Sequence, residues 1–475
     1  MNQIKEKFRW SLIVAAVVVA ISGCTSPEEF YEDASLSRQS AYRQWQAQKE
    51  RQVISETRID GELTVEDCLK VTLLNNKTLQ QAIEQKEIAR GEQIRSYSAI
   101  LPRADLRGEY RRLDEVSSFD VGGNKVSLGS LNNYSTALRV TQPVFAGGSI
   151  SARLNAGTLG TLLAEQSVRS AVEEVIYMAA RAYYDLLLDQ HLVEISKEAV
   201  RAAQAHLDSV KQKREFGVAS NFDVLRAEVE LSNFSAELIK NKHAINVAKA
   251  NLLRVMGVSQ ESDVVLTNEL VYVSEAVTLD DAVGAAFRNR PDLMGREFDT
   301  RLQKELLRIV KSQYWPSVDG FYENEWSKPD PHNSTLIDWG HAWNAGVAVT
   351  FPLFSGLSRE GEVVSQKARL KQSQINLVDT EEQTLFEITK SVLSIADAAE
   401  FADSQKLNLT RAQEGLRLAE VGYTEGTQTQ VEVIDAQSAL TQARVFYYQA
   451  IYSQMVAKLN LQKAMGTLTG GKIKN

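Results

Sequence analysis

Residues 352–356 read Pro-Leu-Phe-Ser-Gly and open a helical pattern that continues for roughly seventy residues. The pattern breaks at residues 421–426, Val-Gly-Tyr-Thr-Glu-Gly, and returns as a second helix that ends at Met465-Gly466. Glycine in the break allows the backbone reversal that a long helix needs to fold back on itself. This stretch therefore predicts a long helical hairpin.

An earlier stretch has the same organisation. Residues 143–147 read Pro-Val-Phe-Ala-Gly and lead into a helical pattern that breaks at Gly217 and returns to Met256-Gly257. The two stretches are offset by 209 residues at every landmark, as from Gly217 to Gly426. A constant offset over such a length indicates an internal duplication.

The region upstream repeats as well, with an offset of 214 residues, as from Thr64 to Thr278. The difference must be absorbed between about residues 105 and 140, where the first copy has the longer loop. Each copy reads helix, strand, strand, very long helix, tip and long helix. We expect a first repeat at 62–257, a linker at 258–276, a second repeat at 277–466 and a tail at 467–475.

The N-terminus has the features of a bacterial lipoprotein leader. Three basic residues stand among the first nine, and an apolar run of about a dozen follows, which is too short to span a bilayer. The run closes with Ile-Ser-Gly-Cys, which resembles a lipobox, so we expect a signal peptide at 1–23 and acylation of Cys24. An ordinary signal peptide with a chance cysteine is the alternative. Residues 24–61 are polar and predict an extended, lipid-anchored tether with one short helix.

Composition excludes several classes of function. A net charge of −8 offers no general basic surface for nucleic acid. The five histidines show no metal-ligand spacing. Residues 466–472 imitate a phosphate loop, but Ile473 stands where a serine or threonine is needed. We therefore expect no cofactor and no enzymatic activity.

Two segments have the two-residue period of β-strands. Residues 342–351 place large side chains such as Trp343 and Val347 on one face, and small or polar side chains on the other. Residues 134–143 alternate in a similar way. Each segment is about ten residues long, the length of a tilted transmembrane strand, and aromatic residues near the strand ends suit an interfacial girdle. The edge of a soluble sandwich is the alternative.

Two further strands, at about 104–113 and 318–326, are weaker, because Asp319, Glu323 and Glu325 share one face. Four strands cannot close a membrane barrel, since the smallest have about eight. Open edges are not tolerated in lipid. If these strands enter the membrane, several protomers must share one barrel, and hydrogen-bond accounting alone leaves their number open.

The long helices have a different period. Apolar residues such as Val168, Val172 and Val175 recur at an average spacing near 3.5, which is typical of a coiled-coil seam. Helices of about 65 residues rise near 100 Å. Many seam positions are Ala, Ser or Thr, which suits helices packed around a wide lumen; a plain rod-like coiled coil is the alternative.

These features together resemble the TolC-like outer-membrane efflux proteins. The likeness rests on the lipobox, the tandem copies with two strands each, the junctions at 143–148 and 352–357, and the tip Tyr-Thr-Glu-Gly-Thr at 423–427 followed by Val-Ile-Asp-Ala at 433–436. It covers about residues 60 to 467.

The resemblance implies an α+β membrane protein, a homotrimer with a twelve-stranded β-barrel in the outer membrane that continues as a coiled-coil barrel of twelve helices across the periplasm. Such proteins are the exit duct of a tripartite efflux or type I secretion system, docked to a periplasmic adaptor (membrane fusion protein) and an inner-membrane pump. The strand-to-helix junctions would lie at Pro143 and Pro352, and the tips at Gly217 and Gly426 would contact the adaptor.

The resemblance also implies a gate, because in the family the helices after the second tip narrow the tunnel, and carboxylates and a tyrosine hold it shut. The matching positions are Tyr423, Glu432 and Asp435, with Asp223 in the first copy. Three copies of each carboxylate around one axis would attract cations. Alternatively, carboxylates at helix starts favour the helix dipole. Gln428 stands where some relatives have an arginine of the locking network.

Two other classes of function stay open. A periplasmic, lipid-anchored coiled-coil adaptor or structural protein without a channel would have one hairpin between β-rich halves rather than two. A lipid-anchored enzyme would need a polar constellation that the sequence does not show. The cargo and the particular adaptor and pump are not encoded in any recognisable pattern.

Overall fold

The computed structural model describes residues 27–51, 58–122, 124–127, 129–270, 277–333 and 337–468. The predicted signal peptide, Cys24 and residues 469–475 of the predicted tail lie outside the described residues. The chain divides into two units, Met1–Asp60 with Glu261–Asp263, and Gly61–Gln260 with Val264–Asn475.

The first unit contains helix α1, Pro27–Arg51, which is 25 residues long. The prediction of one short helix in an extended tether was therefore wrong about the length of the helix. The side chains at 31–44 are all exposed. A helix that is polar all round has no apolar stripe and gives no periodic signal in the sequence, which explains the underestimate.

The second unit contains the two repeats. The first repeat consists of β1 Gly61–Leu63, α2 Val65–Asn75, α3 Lys77–Ser96, β2 Arg103–Arg112, β3 Ser118–Val121, β4 Asn124–Ser127, β5 Asn132–Ala146, α4 Ser149–Glu215 and α5 Asn221–Met256. The second repeat follows as β6 Val264–Leu266, α6 Leu279–Asn289, α7 Pro291–Ser312, β7 Ser317–Lys328, β8 Gly340–Thr350, α8 Ser358–Thr424 and α9 Gln430–Ala464. Among the described helices, none combines the length and apolarity needed to cross a membrane.

The structure repeats the helix, strand, strand, hairpin order in both halves. It also contains strands that the sequence analysis missed. The hairpin of β3 and β4 occupies the longer loop of the first copy, between β2 and β5. The segment predicted as a linker, 258–276, contains the short strand β6.

Strands from both repeats form one antiparallel sheet in the order β2-β5-β7-β8. The central pairing of β5 with β7 joins the repeats, with Tyr134 opposite Lys328 and Ala146 opposite Ser317. Within the described residues, β2 and β8 pair on one side only. The sheet therefore has two open edges, one from each repeat.

The strand register gives the sheet one charged face and one apolar face. Asp105 lies opposite Arg139, and Arg139 lies opposite Glu323, so these residues form one polar row across three strands. Leu106 lies opposite Leu138 on the other face. The acidic residues that made β7 look weak as a strand thus belong to a continuous polar face.

A second, two-stranded sheet anchors the start of the first repeat. Strand β1 pairs with β6 in parallel, Gly61 opposite Val264 and Leu63 opposite Leu266. The hydroxyl of Tyr183, a fully buried residue of α4, lies 2.9 Å from the Leu63 carbonyl oxygen and 2.8 Å from the side-chain oxygen of Asn268. Burial raises the pKa of Tyr183 to about 12.

The two repeats cap their first helices in the same way. The Thr64 hydroxyl accepts a hydrogen bond from the Asp67 N–H over 3.1 Å, and the Thr278 hydroxyl accepts one from the Asp281 N–H over 3.2 Å. Each aspartate in turn accepts a hydrogen bond from its threonine hydroxyl. The side-chain oxygen of Asn76 caps α3, which explains the break after α2.

The long hairpins begin at junctions with left-handed backbone. Gly147 and Gly148 have φ values of 58° and 85°, and Gly356 and Leu357 have φ values of 65° and 67° at the equivalent positions. A Cβ on Gly147 would lie 2.5 Å from the Ser312 carbonyl oxygen, whereas a Cβ on Gly356 would meet nothing within 4 Å. Both copies therefore need glycine for the positive φ, and the first copy needs it also because a side chain would meet the Ser312 backbone.

We predict that Gly147→Ala destabilises the protein more than Gly356→Ala does. Both variants place a side chain in the left-handed region, at a cost of roughly 1 to 2 kcal/mol, but only the first also clashes with backbone atoms. Thermal unfolding of the detergent-extracted protein measures the difference. Equal losses for the two variants would contradict the assigned packing of Gly147 against α7.

Candidate functional site

The two hairpin tips share one backbone geometry. Helix α4 leads into Gly217 and α8 into Gly426, and both glycines have a φ of 76°. The Val218 N–H donates to the Lys213 carbonyl over 2.9 Å, which closes the end of α4 in a Schellman-type arrangement. A Cβ at either glycine would meet nothing within 4 Å, so the positive φ alone calls for glycine.

The carboxylates predicted at the gate, Asp223 and Glu432, begin the two return helices. The Ser220 N–H and hydroxyl donate to Asp223, both over 2.8 Å, and the Thr429 N–H and hydroxyl donate to Glu432 over 2.6 and 3.0 Å. These hydrogen bonds lower the pKa of both carboxyl groups. Glu432 is exposed, whereas Asp223 is half-buried. The two carboxylates thus act as helix caps and stay ionised.

Tyr423 lies in the last turn of α8 and is half-buried against the first hairpin. The Lys213 ammonium lies 3.6 Å from the centroid of its ring. The His206 ring lies 5.9 Å away, tilted by 51°. Both partners belong to α4, so this cluster joins the first hairpin to the second.

A cavity of about 310 Å³ lies beside this cluster and is lined by residues of both hairpins, among them His206, Lys213, Glu230, Glu420, Tyr423 and Val433. His206 Nε2 is buried with no hydrogen-bond partner among the described residues. Burial lowers the pKa of His206, and the nearby Lys213 lowers it further. The imidazole is therefore neutral at pH 7.

The tips are also joined by a hydrogen bond from a side chain to a backbone carbonyl. The Gln430 side-chain N–H donates to the Asp223 carbonyl over 2.9 Å. Asp435 is exposed, one turn after Glu432. Gln428 packs against Gly422, and its Oε1 has no hydrogen-bond partner in the described part of the chain.

Sequence analysis did not select Lys213 and His206 as site residues. They lie seven residues apart on α4 and so share one face of that helix. That spacing was the available signal, but the sequence does not show which residue of α8 the face meets.

The chain matches known proteins along both repeats. Residues 68–258 and 282–467 match the family described as "Outer membrane efflux protein". The chain belongs to this family. It is similar to the outer membrane protein TolC of Escherichia coli, with 21% identity over 411 residues that cover 83% of this chain and 80% of TolC. It is similar at 21% identity to the alkaline protease secretion protein AprF of Pseudomonas aeruginosa, over 85% of this chain and 84% of AprF.

A solved structure of an outer membrane channel has the same fold. The CmeC outer membrane channel of Campylobacter jejuni superposes with a TM-score of 0.75 at 16% identity, over 85% of each chain. The predicted fold class of this efflux protein, a duplicated helix-strand-strand-hairpin unit, is confirmed. The family decides between the alternatives left open by the sequence: the protein is an outer-membrane exit duct, and its relatives are channel proteins.

The junction of the second repeat in this efflux protein depends on a residue that sequence analysis missed. Arg359 is buried and donates to the carbonyl oxygens of Pro352 and Leu353 over 2.9 and 3.1 Å. It also donates to the Gln313 carbonyl, and its guanidinium lies 4.8 Å from the Tyr314 ring. Arg359 therefore fixes the turn from β8 into α8. The first copy has Ile150 at this position, so the duplication gave no signal for it.

A second arginine, whose side chain is largely buried, connects three helices. Arg290, with a side chain only 12% exposed, donates to Asp292 over 2.6 and 3.0 Å and to Glu387 over 2.7 Å. It also donates to the carbonyl of Ala464, at the end of α9. The neighbouring cavity, of about 420 Å³, is lined in part by Glu173 of α4. Burial raises the pKa of Glu173 from 4.5 to about 7, although Arg169 opposes this shift.

The raised pKa of Glu173 predicts a pH-dependent stability. The folded protein binds the proton of the Glu173 carboxyl more tightly than the unfolded chain does. Its contribution to the free energy of unfolding is therefore complete below pH 4.5 and is lost as the pH rises through about 7. We expect Glu173→Gln to flatten the dependence of stability on pH in this range, and to be more stable than the wild type at pH 8. Thermal unfolding of the detergent-extracted protein between pH 4 and 8 measures it.

Glu174→Gln is the matched control, because the neighbouring Glu174 pairs with Lys463 over 2.5 Å. It should keep the slope of the wild-type profile. Parallel profiles for Glu173→Gln and the wild type would show that Glu173 does not titrate in this window.

Proposed function

We propose that three copies of this chain close one twelve-stranded barrel in the outer membrane, and that their hairpins form a tunnel of twelve helices reaching into the periplasm. The observation that carries this proposal is the sheet with two open edges, β2 and β8. Unpaired backbone groups are too costly in lipid for such edges to stay open. Pairing β8 of one protomer with β2 of the next satisfies both edges.

The two faces of the sheet support the same arrangement. Membrane barrels alternate apolar side chains towards lipid with polar side chains towards the lumen. The apolar face includes Trp343 and Val347, which are 65% and 67% exposed in the single chain. The opposite face carries the row of Asp105, Arg139 and Glu323. A lipid-facing and a water-facing side follow from this division.

We further propose a gate near the second tip, formed by Tyr423, Glu432 and Asp435 together with Asp223. Three symmetry-related copies of each carboxylate would surround one axis and attract cations. The pKa values of Asp223 and Glu432 are lowered, so these two groups carry charge at neutral pH.

Membership of the family supports a proposal about the partners. The tips at Gly217 and Gly426 would dock a periplasmic adaptor, which links the duct to an inner-membrane pump. Acylated Cys24 would anchor the mature chain to outer-membrane lipid. Relatives carry names that refer to alkaline protease secretion and to toluene efflux, so both protein and small-molecule cargo occur among them.

The first test is the mass of the detergent-extracted particle by light scattering. We expect about three times the mass of one protomer, because closure of the edges requires neighbouring copies and the resemblance to the family implies three of them. A monodisperse monomer would leave four strands with open edges and would rule out the shared barrel.

The gate predicts that two carboxylates behave differently. Asp435→Asn should reduce the preference for cations in planar bilayers without changing the thermal midpoint, because Asp435 is an exposed residue past the helix cap. Glu432→Gln should reduce both the preference for cations and the thermal midpoint, because it also weakens the hydrogen bond from the Thr429 N–H that caps α9. Unchanged ion selectivity in the double variant would rule out the cation filter.

A further inference from the structure

The two hairpins of one protomer are connected along their length by side-chain pairs between α4 and α9. From the sheet end towards the tips, Glu174 pairs with Lys463, Tyr452 donates to Asp185, the His191 ring stacks on Tyr448 at 4.3 Å, and Glu198 pairs with Arg444. Further along α4, His206 and Lys213 contact Tyr423 of α8. This last contact is nearest to the tips.

We infer that Lys213 is a positioning residue for the gate, and that its ammonium, with the ring of His206, holds Tyr423 in the closed arrangement as an intra-protomer latch. The inference rests on the proposed gate at Tyr423 and goes beyond it by naming what fixes that side chain. The latch joins the last turn of α4 to the last turn of α8.

The geometry favours a cation–π contact. The ammonium lies 3.6 Å from the ring centroid, well within the distance at which such contacts stabilise. Lys213 and Tyr423 are both half-buried, so water screens the attraction less than it does between exposed groups. His206 packs on the same ring.

Lys213 also fixes the first tip through its backbone, because its carbonyl accepts the Val218 N–H over 2.9 Å. One residue therefore sets the end of the first hairpin and holds the end of the second. An outward movement of the second tip relative to the first must separate Lys213 from Tyr423. Gln428, which carries no charge, packs on Gly422 of its own hairpin. The cation beside the Tyr423 ring is Lys213, which belongs to α4 of the other hairpin.

The test compares variants in planar bilayers with potassium chloride as the permeant salt. Lys213→Met keeps the aliphatic stem and removes the charge, and Tyr423→Leu removes the ring and leaves the charge. Each should raise the open fraction of the purified channel roughly two- to tenfold. Lys213→Arg keeps a cation beside the ring and should leave the open fraction close to that of the wild type.

Two comparisons separate the latch from a general effect of charge. Lys211→Met is the matched control, because Lys211 pairs with Glu228 of its own hairpin over 3.2 Å, and it should leave the open fraction unchanged. The double variant Lys213→Met with Tyr423→Leu should open no more than either single variant, since both remove one contact. Additive effects, or an equal effect of Lys211→Met, would overturn the latch.

The outcome also separates the latch from the gate on which it rests. If Lys213→Met leaves the open fraction unchanged while Tyr423→Leu raises it, the gate stands and the latch is overturned. If neither Tyr423→Leu nor the double variant of Glu432 and Asp435 alters conduction, the gate fails and the latch with it. Particle mass and thermal midpoint, measured for every variant, show that each protein still folds and assembles.

Discussion

The pairing of β5 with β7 is the interaction on which the rest of the structure depends. It is the central pairing of the four-stranded sheet, and it is the point at which the two repeats become one sheet. Because α4 follows β5 and α8 follows β8, whose neighbour in the sheet is β7, the β5–β7 register also helps to set where the two hairpins start relative to each other. The contacts between the hairpins, down to Tyr423, require this register.

The duplication made most of the architecture predictable, since two copies of one pattern confirm each other where either alone is ambiguous. Prediction from the duplication failed where the two copies differ. The row of Asp105, Arg139 and Glu323 is visible only once the register is known. Arg359 has no counterpart in the first copy, and the contact of Lys213 with Tyr423 joins positions 210 residues apart in the sequence. The spacing of apolar residues and the capping residues specify single helices and strands. Contacts between the hairpins depend instead on how whole helices are aligned with each other.

The two copies solve the same local problem with different residues. At the junctions, Gly148 and Leu357 share a left-handed backbone, although leucine pays a steric cost there that glycine avoids. In the second copy Arg359 holds the turn by hydrogen bonds to backbone carbonyls. At the return helices, Asp223 and Glu432 fill the same capping position with side chains of different length. Divergence has changed the side chains and kept the backbone.

The short parallel pair of β1 and β6 has a topological consequence. It brings Leu63 beside Leu266, so the first half of the chain is closed into a ring by its own hydrogen bonds. The entropic cost of such a closure grows only with the logarithm of loop length, and the buried Tyr183 hydroxyl lies at the seam. This ring can form as soon as the chain is available up to residue 266. Strand β5, in contrast, must wait for residues 317–328 before its second edge is covered.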